Sequence, residues 1–129
     1  MYVDASNFPI VRMEMDPALS MPIEEVLACI GKLLAGDQPF VFVGEGFPDD
    51  DPRDSNSIEE RRQVTLWMKA NKAQIRKLIR AQVQIVPNVR HWAGAVSFSV
   101  IFEKFWGYPM LVVATAQEAQ EKAQSLLSS

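Results

Sequence analysis

Apolar positions along the chain recur with two alternating periods, and the switches between them predict the elements. In "IVRMEM" (10–15), Val11, Met13 and Met15 alternate with Arg12 and Glu14, the two-residue period of a strand with one buried face. Asn7 and Pro9 signal a turn before it, so residues 2–5 are expected to fold back as a short hairpin partner. The period then changes. Ile23, Val26, Leu27, Ile30, Leu33 and Leu34 recur at helical spacing, between Pro22, which suits a first helical position, and Gly36, which suits a stop. "FVFVG" (40–44) is an uninterrupted apolar run, as a parallel strand buried on both faces requires.

A polar loop (45–56) leads to a second helix, opened by the S-x-x-E capping box of Ser57 and Glu60. Val64, Trp67, Met68, Ile75, Leu78 and Ile79 give it an apolar side that carries the helix to about Arg80. "VQIVP" (83–87) reads as the next strand, stopped by Pro87, and Asn88 can cap a third helix running to about Phe105. "MLVVAT" (110–115) is the last strand. Thr115 and Glu118 then form a second capping box for a terminal helix ending near Leu127. The predicted order is β-β-α-β-α-β-α-β-α. It describes an α/β domain with a mainly parallel four-stranded sheet, an N-terminal edge strand and flanking helices. A chain of 129 residues is one such domain.

The third helix departs from the ordinary pattern. Residues 91–109 hold both Trp92 and Trp106, together with Phe98, Phe102 and Phe105. On a helical wheel, Val89, Ala93, Val96 and Val100 form a narrow aliphatic stripe. His91, Ala95, Phe98, Phe102 and Phe105 form a wider one, with Ile101 and Trp106 at its edges. A helix covering a sheet needs one apolar face, and this one has two. Either neighbouring helices cover the second stripe, or it meets a second subunit or another protein. The second alternative is expected here, as a homodimer contact through His91, Phe98, Phe102, Phe105 and Trp106, together with an unidentified protein partner. Which stripe faces the sheet is open at this level.

Composition narrows the function by exclusion. The formal charge of −3 argues against a nucleic-acid partner. The basic row of the second helix (Arg61, Arg62, Lys69, Lys72, Arg76, Lys77, Arg80) carries no exposed aromatic to stack bases, so it reads as a solvated face. Asp49, Asp50, Asp51 and Asp54 crowd one loop. However, Pro52 and Arg53 interrupt any calcium-loop spacing and Asp54 stands where the turn glycine belongs, so no metal is expected. The lone Cys29 fits a reducing compartment, and "MYVDASNFP" lacks the basic and apolar regions of a signal peptide. No apolar run is long enough to insert in a membrane. A cytoplasmic location is expected. His91 is the only histidine, and no nucleophile elbow, phosphate loop or dinucleotide glycine pattern occurs. No catalytic residue and no cofactor are assigned, and the chain is expected not to be an enzyme.

Ser57 can do two things. At a helix N-terminus its hydroxyl caps free amides, and the same position suits a phosphoryl group because the helix dipole favours negative charge there. Four nearby aspartates would repel that group, so plain capping is the expectation.

"SIEERRQV" opening the second helix, "VQIVPN" entering the third and "WGYPMLVVATAQEAQEKAQSLL" at the end carry a family resemblance. Residues 57–127 resemble small uncharacterised bacterial STAS-like proteins. The element order is similar to STAS domains at large, the fold of bacterial anti-sigma-factor antagonists and of the cytoplasmic tails of sulphate transporters. The resemblance implies a non-catalytic signalling or regulatory module that binds protein partners or, alternatively, a small-molecule or lipid ligand. In the antagonists a phosphorylated serine opens the second helix, and Ser57 is the matching position; "RDSNSIEE" lacks the hydrophobic residue that precedes that serine.

Overall fold

In the structure, a computed structural model, residues 2–14, 21–45 and 58–128 are described, apart from the side chains of residues 58, 60, 61 and 105. The chain runs β1 (Tyr2–Asp4), β2 (Ile10–Glu14), α1 (Ile23–Ala35), β3 (Phe40–Glu45), α2 (Ile58–Ala70), α3 (Lys72–Leu78) and β4 (Ile79–Ile85). A 3-10 turn at Val89–His91 then leads into α4 (Trp92–Trp106), β5 (Met110–Val113) and α5 (Ala116–Ser128). The five strands form one sheet in the order β1-β2-β3-β4-β5, with β1 antiparallel to β2 and the remaining pairs parallel. The α/β class, the hairpin partner at the N-terminus and the parallel core are as the sequence predicts.

The sequential strand order decides where the helices go. Each parallel connection steps one strand further in the same direction, and crossovers share one hand, so their helices must fall on the same face of the sheet. One core accordingly joins Val26, Ile30 and Leu34 of α1, Val64 and Met68 of α2, Ile75 and Leu78 of α3 and Phe102 of α4 to Phe40 and Phe42 of β3. α5 packs on the other face. There Ala119 and Ala123 pack on Val41, Val83, Ile85 and Val113. β3 feeds both cores: its phenylalanines point to the four-helix layer and its valines to α5, because successive side chains alternate across a strand.

Two predicted boundaries move. The second helix is not continuous to Arg80. It breaks at Asn71, whose side-chain amide donates to the Trp67 carbonyl at 2.8 Å, and a short α3 follows. The strand expected at 83–87 begins at Ile79, which pairs with Phe40 across β3. "RKLIRAQVQ" fits a helix by period, but pairing with a buried central strand overrides that local preference. Arg80 is consequently an exposed strand residue, not a cation at a helix end.

The capping expectations divide. Thr115 Oγ1 accepts from the Glu118 amide at 3.1 Å, whereas Asn88, accepting from the Arg90 amide at 3.0 Å, caps the 3-10 turn and not the helix after it, whose own N-cap is His91. Ser57, its capping box and the aspartate-rich loop lie outside the described residues.

Candidate interaction surface

α4 starts from a turn fixed by Asn88 and is anchored there by Trp92, whose indole Nε1 donates to the Val86 carbonyl at 2.9 Å. It stops at Gly107, which takes the left-handed backbone (φ 85°) that an L side chain resists, and whose amide donates to the Glu103 carbonyl at 2.9 Å. Both ends are therefore held, and the roll of the helix about its axis is set by its largest buried side chain. That side chain is Phe102, 2% exposed. Its ring lies 5.4 Å from Tyr108 in an edge-on contact, 6.0 Å from Trp106 and 6.2 Å from Phe98. Tyr108 in turn meets Phe42 at 6.1 Å, so the cluster reaches the central strand. Burial pushes the Tyr108 phenol far above its usual range.

The sheet therefore takes the aromatic stripe. Of the residues expected at a subunit contact, Phe102 is a core residue, and Phe98 and Trp106 are half-buried against that core. His91 is half-buried in the 3-10 turn. Phe105 lies in α4 with its side chain outside the described ones. The aliphatic stripe is what remains outside: Val89 is 79% exposed, Val96 50%, Val100 55% and neighbouring Ile101 64%. Cys29 packs partly buried beside the α1 core residues.

A second feature escaped the sequence reading. α5 packs on β3 and β4 and leaves the same face of β1 and β2 uncovered, forming an open groove of about 500 Å³. Asp4, Ser6, Arg12, Glu14, Val43 and Glu45 are among its lining residues. Glu14 alternates with core methionine and so reads as solvent-facing, yet it is buried. Its Oε1 accepts from Arg12 Nε at 3.2 Å and its Oε2 from the Glu45 amide at 3.3 Å. The Arg12 guanidinium also stacks 5.5 Å above the Tyr2 ring. The Ser6 amide, donating to Asp4 Oδ1 at 2.9 Å, is the main cause that holds the Asp4 carboxyl below its usual range, with the Ser6 hydroxyl and the Arg12 charge adding to it. Chemically the groove offers paired charges and hydrogen-bonding groups rather than a nucleophile beside a base.

On the four-helix face, β4 presents two polar residues, Gln82 and Gln84, to the core. Gln82, fully buried, donates from Nε2 to Gln84 Oε1 at 3.1 Å, while its own Oε1 has no hydrogen-bond partner among the described residues. Gly44 on β3 makes room for this pair: a Cβ there would collide with the Met13 carbonyl and press on both amides. Among the described residues no group of histidine, cysteine, aspartate and glutamate side chains could hold a metal ion, and no helix is long and apolar enough to cross a membrane.

No family model, no curated protein and no solved structure matches the chain.

Proposed function

We propose that this protein is a non-catalytic interaction module of STAS-like type, serving a regulatory system of the bacterial cytoplasm and binding a protein partner through the outer face of α4. The observation that carries the reading is the stripe of Val96, Val100 and Ile101, exposed on α4 and continued by Val89 of the preceding 3-10 turn, while Ala95 and Phe102 of the opposite face are buried in the core. Scattered surface aliphatics are ordinary, but several on one helix face next to a fixed core form a docking surface. Apolar side chains on an amphipathic helix at this spacing suit a partner that presents a helix or a groove.

Comparing two baits tests it. Wild-type protein and a Val96→Glu/Val100→Glu variant are purified from the native cell with whatever they retain. The variant is expected to melt within a few degrees of wild type and to lose specific proteins that wild type keeps. An identical set of proteins on both baits would rule the surface out.

The groove supports a second reading, a small polar ligand on the open face of β1 and β2, because Glu14 is buried there with both oxygens already oriented. The charged side chains of Asp4, Arg12, Glu14 and Glu45 in its lining favour such a ligand over a lipid. A small molecule that co-purifies with wild type and is lost with Glu14→Ala, while the protein set is unchanged, would make this the better reading.

A further inference from the structure

The chain's positive charge is gathered into one stretch. Residues 61–102 contain eight of the 13 lysines and arginines and none of the 16 acidic residues. The fold lays much of that stretch on one surface. On α2, Arg62, Leu66 and Lys69 are exposed at helical spacing, opposite the core residues Val64 and Met68. On α3, Lys72, Arg76 and Lys77 are exposed while Ile75 and Leu78 are buried. Both helices belong to the four-helix layer, so these cations share its solvent side, with Leu66 57% exposed among them. Glu59, one turn before Arg62, marks the end of the patch.

Little of this charge is neutralised within the protein. Lys77 lies 3.2 Å from Asp37, both side chains mostly in water; among the described residues no carboxylate pairs with Arg62, Lys69, Lys72 or Arg76. On the opposite side of the sheet the sign reverses. There Asp4, Glu14 and Glu45 of the groove and Glu118 and Glu121 of α5 outnumber the neighbouring Arg12 and Lys122. An anionic surface would therefore attract the molecule with the α2–α3 patch foremost.

We infer that the outer face of α2 and α3 docks on an anionic membrane surface, with the cations at the lipid headgroups and Leu66 dipping between them. The inference goes beyond the protein-docking reading and uses none of the α4 residues. Charge complementarity sets the sign of the occupant, and the chemistry of the face sets its class. Leu66 lies one turn from both Arg62 and Lys69, so their aliphatic stems can line it while their charged heads stay at the headgroups. A nucleic-acid strand is held by stacked rings, and Trp67 is packed against the core instead. A protein partner anchors its side chains in pockets, and both grooves of about 500 Å³ lie on the α5 side. A lipid surface requires neither, because clustered cations on a helix with an aliphatic to immerse are sufficient. The contact is peripheral: among the described residues no helix is long and apolar enough to cross a bilayer. A single patch of this kind binds reversibly and weakens with salt.

Vesicle co-sedimentation tests it. At low salt, wild type is expected to sediment with phosphatidylcholine vesicles that contain one-third phosphatidylserine, to ignore pure phosphatidylcholine, and to be released by high salt. Each lysine or arginine at such a surface strengthens binding about fivefold, so Lys69→Gln/Lys72→Gln should bind roughly 25-fold more weakly. Leu66→Gln, which leaves the charge unchanged, should bind several-fold more weakly. Both are expected to melt within a few degrees of wild type, and Lys122→Gln on α5 should bind vesicles as wild type does. Wild type that stays in solution with the anionic vesicles at low salt would overturn the inference. So would undiminished binding by Lys69→Gln/Lys72→Gln. Tighter binding to an oligonucleotide or to polyglutamate than to the vesicles in the same buffer, lost in that double variant, would replace the membrane by that class of partner. None of these outcomes bears on the Val96→Glu/Val100→Glu comparison, which reads the α4 face separately.

Discussion

The two sides of α4 are built from residues of similar hydropathy and do different work. The inner side carries Phe102, Ala95 and the half-buried Phe98 and Trp106, packed on Tyr108 and the sheet. The outer side carries valines and an isoleucine that are half or more exposed. Size explains the division. A helix over a sheet leaves a space that large rings fill, and each aromatic buries on the order of 150–250 Å², so the roll that hides the rings is favoured over the roll that hides the valines by several kcal/mol. The aliphatic side is left facing solvent.

The strongest way to break this comparison is a charge on the inner side. Phe102→Glu should unfold the protein, a loss of at least about 3–5 kcal/mol, since it removes the ring at the centre of the cluster and strands a carboxylate. A cooperative thermal transition retained by this variant would mean that the aromatic side is not core. Trp106→Ala should cost less, about 2 kcal/mol by chemical denaturation, because that indole is only half-buried and the cavity can open to solvent.

Alkaline pH probes the same cluster without changing its shape. The Tyr108 phenol is raised above its usual value of 10.0 by burial, so below that pH both states are neutral and its contribution is fully present. Above it the unfolded chain ionises while the native phenol does not, so stability falls by up to about 1.4 kcal/mol per pH unit. Urea melts of wild type and Tyr108→Phe at pH 9 and pH 11 should therefore show a smaller loss for the variant. Equal losses would place the phenol in water.

The smallest effect is expected on the outer side. Val100→Glu should change monomer stability by no more than about 0.5 kcal/mol, measured at low micromolar concentration, because more than half of the side chain already faces water. A loss above 2 kcal/mol would show the valine side to be buried and would remove the distinction. Ser57→Asp should be equally silent in stability and partner binding if the residue only caps α2, since aspartate caps as well. A variant that keeps its melting temperature but releases its partner would make Ser57 a switch.

Local chemistry made most of the elements readable. The alternation at Val11 and Met13, the run at Phe40–Gly44 and the Thr115 cap act over a few residues, so they are legible without a fold. The break at Asn71 and the early start of β4 at Ile79 were not legible, because "KLIRA" satisfies a helix period and a strand equally well until Phe40 is placed beside it. Nor could the burial of Glu14, Gln82 and Gln84 be foreseen. Polar residues are read as solvent-facing unless a partner is known, and their partners come from elsewhere: Arg12 and the Glu45 amide for Glu14, and the space above Gly44 for the glutamine pair.

The sequence by itself determined that this chain is an α/β domain with a parallel core and one helix apolar on two sides, because periodicity and capping are short-range properties. Tertiary structure alone decided which of those sides is buried. It also decided that α5 crosses to the opposite face of the sheet and that a groove is left over β1 and β2. These outcomes depend on the order of the strands and on the volume between layers. No stretch of a few residues encodes either, since each is fixed only when every strand has found its neighbour.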